Sequence, residues 1–171
     1  MDNQIHCGWA PAKDALYRAC HDEEWGVPEY DSRALWEKLQ LDGMQAGLSW
    51  ITILRKRETM LEEFDNFDPE RIVRWDQERI EKALKNPGII RSPKKIQACI
   101  GNARAFLDAA DKGEDFSKLC WSYVDGKPIV SHYENYRDGP TKTDISEAFS
   151  KDLKKRGHKF VGPTIVYAWM Q

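Results

Sequence analysis

No run of about 18 consecutive apolar residues occurs in the sequence, which excludes a membrane-spanning helix. The opening residues, MDNQIHCGWAPAKD, lack a basic segment followed by an apolar stretch, so no secretion signal is expected. Cysteine is sparse. Cys7, Cys20, Cys99 and Cys120 are widely spaced and, without such a signal, are expected as reduced thiols rather than a disulfide framework. There is no internal repeat, low-complexity tract or linker. Nor is there an excess of positive charge: the formal net charge is −2, so the molecule is not a polycation. The expected compartment is the cytoplasm or, for a eukaryotic owner, the nucleus.

What remains suits a single soluble domain over residues 1–171, with 41 % apolar and 32 % charged residues and enough chain to bury a core. The charge is uneven. Asp22 to Asp31 carry five acids and no base, whereas Lys151 to Lys159 carry five bases against Asp152. A local basic patch on a near-neutral protein fits a docking surface for phosphates, although a solvated helix face is the commoner origin.

Apolar spacing is helical nearly throughout, and the predicted fold class is all-α with about eight short helices. Ser32 is placed as the cap of a helix carrying Leu35, Trp36 and Leu39. A second helix is expected from near Ser49, with Ile51, Leu54, Leu61 and Phe64 on one side. Asp68-Pro69, Asp76 and Ser92-Pro93 read as further helix starts, because a capping side chain precedes a first-turn proline or an apolar repeat. Ile145, Phe149 and Leu153 mark another helix, and Pro163 begins the last. Residues 124–142 are rich in turn formers and are expected as a surface loop with a short strand pair.

Two stretches carry chemistry. In KKRGHKFVGPT, Lys154 to Thr164, Gly157 and Gly162 bracket a tight turn between two helical patterns. Backbone N–H groups near Val161 and Gly162, at a helix N-terminus, suit a phosphate oxygen, and Lys155, Arg156 and Lys159 add attraction. That is the layout of a helix-hairpin-helix module, though an ordinary αα-hairpin fits the same pattern. A similar stretch at Arg91, Lys94 and Lys95 reads as a weaker contact or as purely structural.

The second stretch is aromatic and acidic. Trp9, Tyr17, Trp25 and Tyr30 fall within 22 residues, and Trp50 follows Asp42 across the small-residue bend of LDGMQAGLSW. Rings around a carboxylate make a site for a planar cation, since the ring faces and the acceptor-only Asp42 both favour positive charge and N–H donors. Tryptophan in a core is the ordinary alternative for each ring taken singly.

CGW, HDEEWGVP, QAGLSWITILRKRE, GIIRSPKKIQACIGNAR and LKKRGHKFVG, in that order, resemble the bacterial 3-methyladenine DNA glycosylase I family from Cys7 to Gln171. The resemblance implies a helical enzyme of the helix-hairpin-helix superfamily, located in the bacterial cytoplasm on the nucleoid. It would act as a monomer on alkylated double-stranded DNA, flipping out 3-methyladenine and hydrolysing its glycosidic bond without cutting the strand. A catalytically silent binder of alkylated DNA is the alternative. A free-base or nucleoside binder is a third reading, one with no use for the basic hairpin.

Carried over by position, the base-recognising carboxylate falls on Asp42 and the pocket on Trp9, Tyr17, Cys20, Trp25 and Trp50. The wedge that fills the gap in DNA falls on Gln45, Ala46, Gly47 and Leu48. The backbone grip falls on Lys155, Arg156, Lys159, Val161 and Gly162. No catalytic cofactor is implied. The family acid is usually Glu, one methylene longer than Asp42, and Cys20 stands where a second pocket tyrosine is common. One residue is inserted between Cys7 and His21. The family also has a structural zinc, for which Cys7 and His21 match two ligands; the His-x-x-x-Cys pair that would complete it does not occur before Gln171. His6 and Cys20 are a less favoured substitute for that pair. Two ligands rarely hold a structural zinc, which takes four.

Overall fold

The computed structural model describes residues 7–11 and 13–171, all without a β-strand. His6, named above as a substitute ligand, lies outside them. Helix α1 (Ala15–Ala19) runs into a single π-helical turn, Cys20–Glu24. Helices α2 (Ser32–Gln45), α3 (Trp50–Leu54) and α4 (Arg57–Glu63) follow, then α5 (Pro69–Ile72) and α6 (Gln77–Lys85). The long α7 (Pro93–Asp111) precedes α8 (Phe116–Ser122), α9 (Asp144–Lys155) and α10 (Pro163–Met170).

Most helix starts are where the sequence places them. Asp68 and Asp76 accept from the first-turn amides of α5 and α6, satisfying donors that a helix cannot pair internally. Other expectations are corrected. Asp31, not Ser32, caps α2, accepting from Arg33 and Ala34, while Ser32 Oγ donates to Asp115 of the α8 cap. The helix expected from Ser49 is broken at Arg55–Lys56. Lys56 leaves the helical register with its Nζ donating to the Pro87 carbonyl at 2.6 Å, and the bend lets Ile53, Leu54 and Met60 all face the core. The strand pair expected in 124–142 is absent among the described residues. Its apolar residues Ile129 and Val130 remain 62 % and 74 % exposed, and a short 3₁₀ turn, Tyr136–Asp138, stands in its place.

Trp36 and Leu39 of α2, Phe149 and Leu153 of α9 and Val166 of α10 form one buried core with Ile96 of α7. Burial of each such side chain contributes about 1.5–3 kcal/mol, and this packing fixes α2 against α10. The C-terminal half of α2 also packs against α3 and, at Gly43, lies beside Phe160 of the α9–α10 turn. All four cysteines are free thiols. Among the described residues no helix is long and apolar enough to cross a membrane.

Candidate functional site

Asp42 lies in the last turn of α2 and is 2 % exposed. A buried carboxylate needs a partner, and Lys38, one turn earlier on the same helix, donates to Asp42 Oδ2 at 2.6 Å. Burial pushes the Asp42 carboxyl above its usual range, while the Lys38 charge and hydrogen bond pull it back. The same ammonium sits 4.5 Å from the ring centroid of Trp50, the first residue of α3. Trp50 Nε1 in turn donates to Cys20 Sγ at 3.4 Å, which sets the plane of the indole. Asp42, Lys38, Trp50 and Cys20 therefore form one connected chain from the core outward. Burial raises the Cys20 thiol, with the Trp50 contact opposing it, so the sulfur is a neutral lining atom rather than a thiolate.

A second cluster adjoins it. Trp9 meets Tyr17, His21 and Trp25 edge-on at centroid distances of 5.6, 4.9 and 5.3 Å, and His21 stacks on Trp25 at 5.7 Å. The π turn that carries Cys20 and His21 is tied down from α3 and α4. Arg55 donates to Asp14 at 2.9 Å, and Arg57 grips Glu24 through two contacts of 2.6 and 2.8 Å. Trp9, Tyr17, Trp25, Trp50, Cys20 and Asp42, scattered over 42 positions of sequence, thus fall in two adjoining clusters. Tyr30 does not join them. It stacks on Trp121 at 4.4 Å, and Trp121 donates to the Glu29 carbonyl.

The bend after α2 is exposed at Gly47, whose φ of +76° is left-handed, and at Leu48, 43 % exposed, with Gln45 half-buried beside it. Lys95 holds its base by donating to the Met44 and Ala46 carbonyls at 2.8 and 2.7 Å. Those bonds give Lys95 a structural role: it neutralises the negative end of α2.

The α9–α10 turn also borders α2, where Gly43 faces Phe160. Gly157 has φ +98° and Phe160, unusually for a large side chain, +56°. The turn holds that strain because it is pinned at both sides. Asn102 exchanges two hydrogen bonds with the Lys159 backbone, and Ser150 Oγ donates to the Val161 carbonyl at 2.6 Å. Lys155 and Lys159 are exposed, Gly162 is half-buried ahead of α10, and the Val161 side chain is buried, leaving only its backbone for a ligand. Arg156 departs from expectation. Its guanidinium is engaged by Asp152, at 3.0 Å from Nε, and by Glu114, because both carboxylates lie within reach of its short arc from the end of α9.

The model of the family described as methyladenine glycosylase matches residues 9–171. The chain belongs to the methyladenine glycosylase family. It is 50 % identical over 165 residues to DNA-3-methyladenine glycosylase 1 of Escherichia coli strain K12, covering 96 % of this chain and 88 % of that protein. A crystal structure of 3-methyladenine DNA glycosylase I superposes with a TM-score of 0.95 at 51 % identity, covering 98 % and 91 % of the two chains. A Tyr-to-Phe variant of 3-methyladenine DNA glycosylase I, in complex with 3-methyladenine, has a TM-score of 0.91 at 39 % identity, covering 97 % and 89 %.

In this methyladenine glycosylase the two residues matched to zinc ligands, Cys7 and His21, lie beside each other without a third ligand among the described residues. The Cys7 amide approaches His21 Nε2 at 3.4 Å, and His21 Nδ1 lies 2.7 Å from the Asp22 carboxylate, so both ring nitrogens are engaged. Among the described residues no three His, Cys, Asp or Glu side chains converge on a metal-sized space. Reading the sequence by position missed Lys38, although its four-residue offset from Asp42 on a helix is the spacing at which an ion pair forms. It also missed Asn102 and Ser150, for which no local pattern exists.

Proposed function

We propose that this chain is a DNA repair glycosylase that removes 3-methyladenine from alkylated double-stranded DNA by flipping the nucleotide out and hydrolysing its N-glycosidic bond. The observation that carries the reading is a carboxylate held at 2 % exposure and joined, through the Lys38 ammonium, to a tryptophan face. The family membership supports it.

N3-methylation gives adenine a positive charge, so the glycosidic bond is weakened and the base departs neutral. Extrusion costs a few kcal/mol, least for a damaged pair. Leu48 at the exposed tip, with Gln45 and Gly47, fills the gap. The base enters between Trp50 and the rings of Trp9, Tyr17 and Trp25, where stacking contributes about 1–3 kcal/mol per base. Asp42 accepts from its amino edge and favours its charge. Cys20 leaves more space than a tyrosine would. As the bond breaks, positive charge grows on the sugar and is stabilised by neighbouring DNA phosphates, and water attacks. No lysine is assigned as a Schiff-base nucleophile, so base excision without strand cleavage is expected. Lys155, Lys159 and the backbone at Val161 and Gly162 grip phosphates in helix-hairpin-helix fashion, without reading sequence. In this reading the protein works as a monomer in the cytoplasm on nucleoid DNA, and needs no catalytic cofactor.

The test is a labelled duplex carrying one 3-methyladenine, incubated with the protein and resolved with and without alkali. Alkali-dependent cleavage alone supports the reading. Cleavage without alkali refutes the single-step chemistry. Retarded mobility with no abasic site refutes the glycosylase and favours the silent binder.

A further inference from the structure

Lys38 occupies the place that the reading above gives to a cationic base. Its ammonium donates to Asp42 Oδ2 at 2.6 Å and stands over the Trp50 ring at 4.5 Å. These are the two attractions, carboxylate and ring face, that a flat cation would use. The pair is not an ordinary solvated helix bridge. Its acid is 2 % exposed, whereas the lysine side chain keeps 38 % of its surface in water. A base entering this site therefore meets a neutralised carboxylate and a ring face already taken.

We propose that Lys38 is the specificity-determining residue of the pocket, an internal counter-ion that an incoming cationic base must displace from Asp42 and Trp50, which blunts the preference for charged over neutral bases of the same shape. The inference rests on the assignment of Asp42 and Trp50 to the base pocket. Displacement is open to this side chain because its stem is flexible and its head is already part-solvated. A cation gains Asp42 and Trp50 only by releasing an equal charge to water. A neutral base leaves the Lys38–Asp42 pair in place and bears no such cost, because its stacking on the rings does not depend on charge.

Calorimetric titration of the purified chain with neutral 3-methyladenine and with the permanently charged 3,9-dimethyladeninium ion tests this. The readout is the ratio of the two dissociation constants, which a merely structural lysine would not move. The wild-type ratio is expected within about threefold of unity. Lys38→Met is expected to shift it towards the cation by about tenfold, the size of one part-desolvated charge contact. Lys38→Arg, which keeps the charge, is expected to retain the wild-type ratio. Lys38→Gln gives the same reading as Lys38→Met if the methionine variant does not fold. An unchanged ratio in the folded neutral variants, with binding still weakened by Trp50→Ala, overturns the role of Lys38 and leaves the pocket standing. Failure of folded wild type and variants to bind either compound overturns the pocket assignment, and the proposal with it.

Discussion

Asn102 and Lys159 exchange two hydrogen bonds: the Lys159 amide donates to Asn102 Oδ1 at 2.7 Å, and Asn102 Nδ2 donates to the Lys159 carbonyl at 3.1 Å. The same Nδ2 donates to Gln40 Oε1 of α2 at 2.9 Å. One buried amide thus fastens the basic turn to the helix that carries Asp42. The two parts of the proposed DNA-binding surface are held in register by a residue from neither.

Asn102→Ala leaves the Lys159 amide and carbonyl and the Gln40 amide without their partner in a buried setting. The expected cost is about 1–3 kcal/mol of stability, read as a lower denaturation midpoint with unchanged slope. A loss of DNA affinity should accompany it in protein that is still folded. Stability and affinity equal to wild type would show that the turn is held by Ser150 alone.

Trp50→Ala removes the ring on which the base is proposed to stack. Affinity for 3-methyladenine should fall by about 5–150-fold, the equivalent of about 1–3 kcal/mol, while affinity for undamaged duplex stays within twofold or so of wild type, since phosphate contacts lie elsewhere. Equal loss for both would place Trp50 in general folding rather than in the pocket.

Lys155 and Lys159 are proposed phosphate contacts. Each replaced by alanine should make the plot of log affinity against log salt less steep by about 0.9. Arg156→Ala should change that slope little, because Asp152 and Glu114 already hold its charge. A reversed ranking would mean that Arg156 exchanges its carboxylates for phosphates on binding.

His158 in the basic turn is 5 % exposed, and its Nδ1 has no hydrogen-bond partner. Burial, reinforced by Arg156, lowers its pKa from 6.5 to about 4. The unfolded chain therefore binds the proton first as pH falls. The stability that neutral His158 provides is complete above about pH 6.5 and is lost progressively down to about pH 4, an effect of roughly 3 kcal/mol. Unfolding measured across that window should show a smaller acid-side decline in His158→Phe. A decline identical to wild type would assign the pH dependence to other groups.

Much of this was legible in the sequence. Asp68-Pro69, Asp76 and Pro163 announce helix starts because caps and first-turn prolines act within one turn of backbone. The aromatic segment, Asp42 and the basic turn were marked by their residue types. What was hidden depended on distant parts of the chain. Arg156 could not be known as occupied until α9 brought it to Glu114, 42 residues away. Asn102 finds Gln40 and Lys159 across separations of 62 and 57 residues. Tyr30 read like its aromatic neighbours until Trp121 took it out of the cluster. The break at Lys56 follows from a contact with Pro87, to which no propensity of the local sequence points.

The central claim is that Asp42 recognises the methylated base. Its most direct test is chromatographic: methylated duplex DNA is incubated with wild type or with Asp42→Asn, and the free bases released are identified and timed. Wild type is predicted to release 3-methyladenine, and the asparagine variant, which keeps the shape but not the charge, to do so at least about tenfold more slowly, the equivalent of a 1.4 kcal/mol loss. Release at the wild-type rate by a folded Asp42→Asn protein would contradict the role given to this carboxylate.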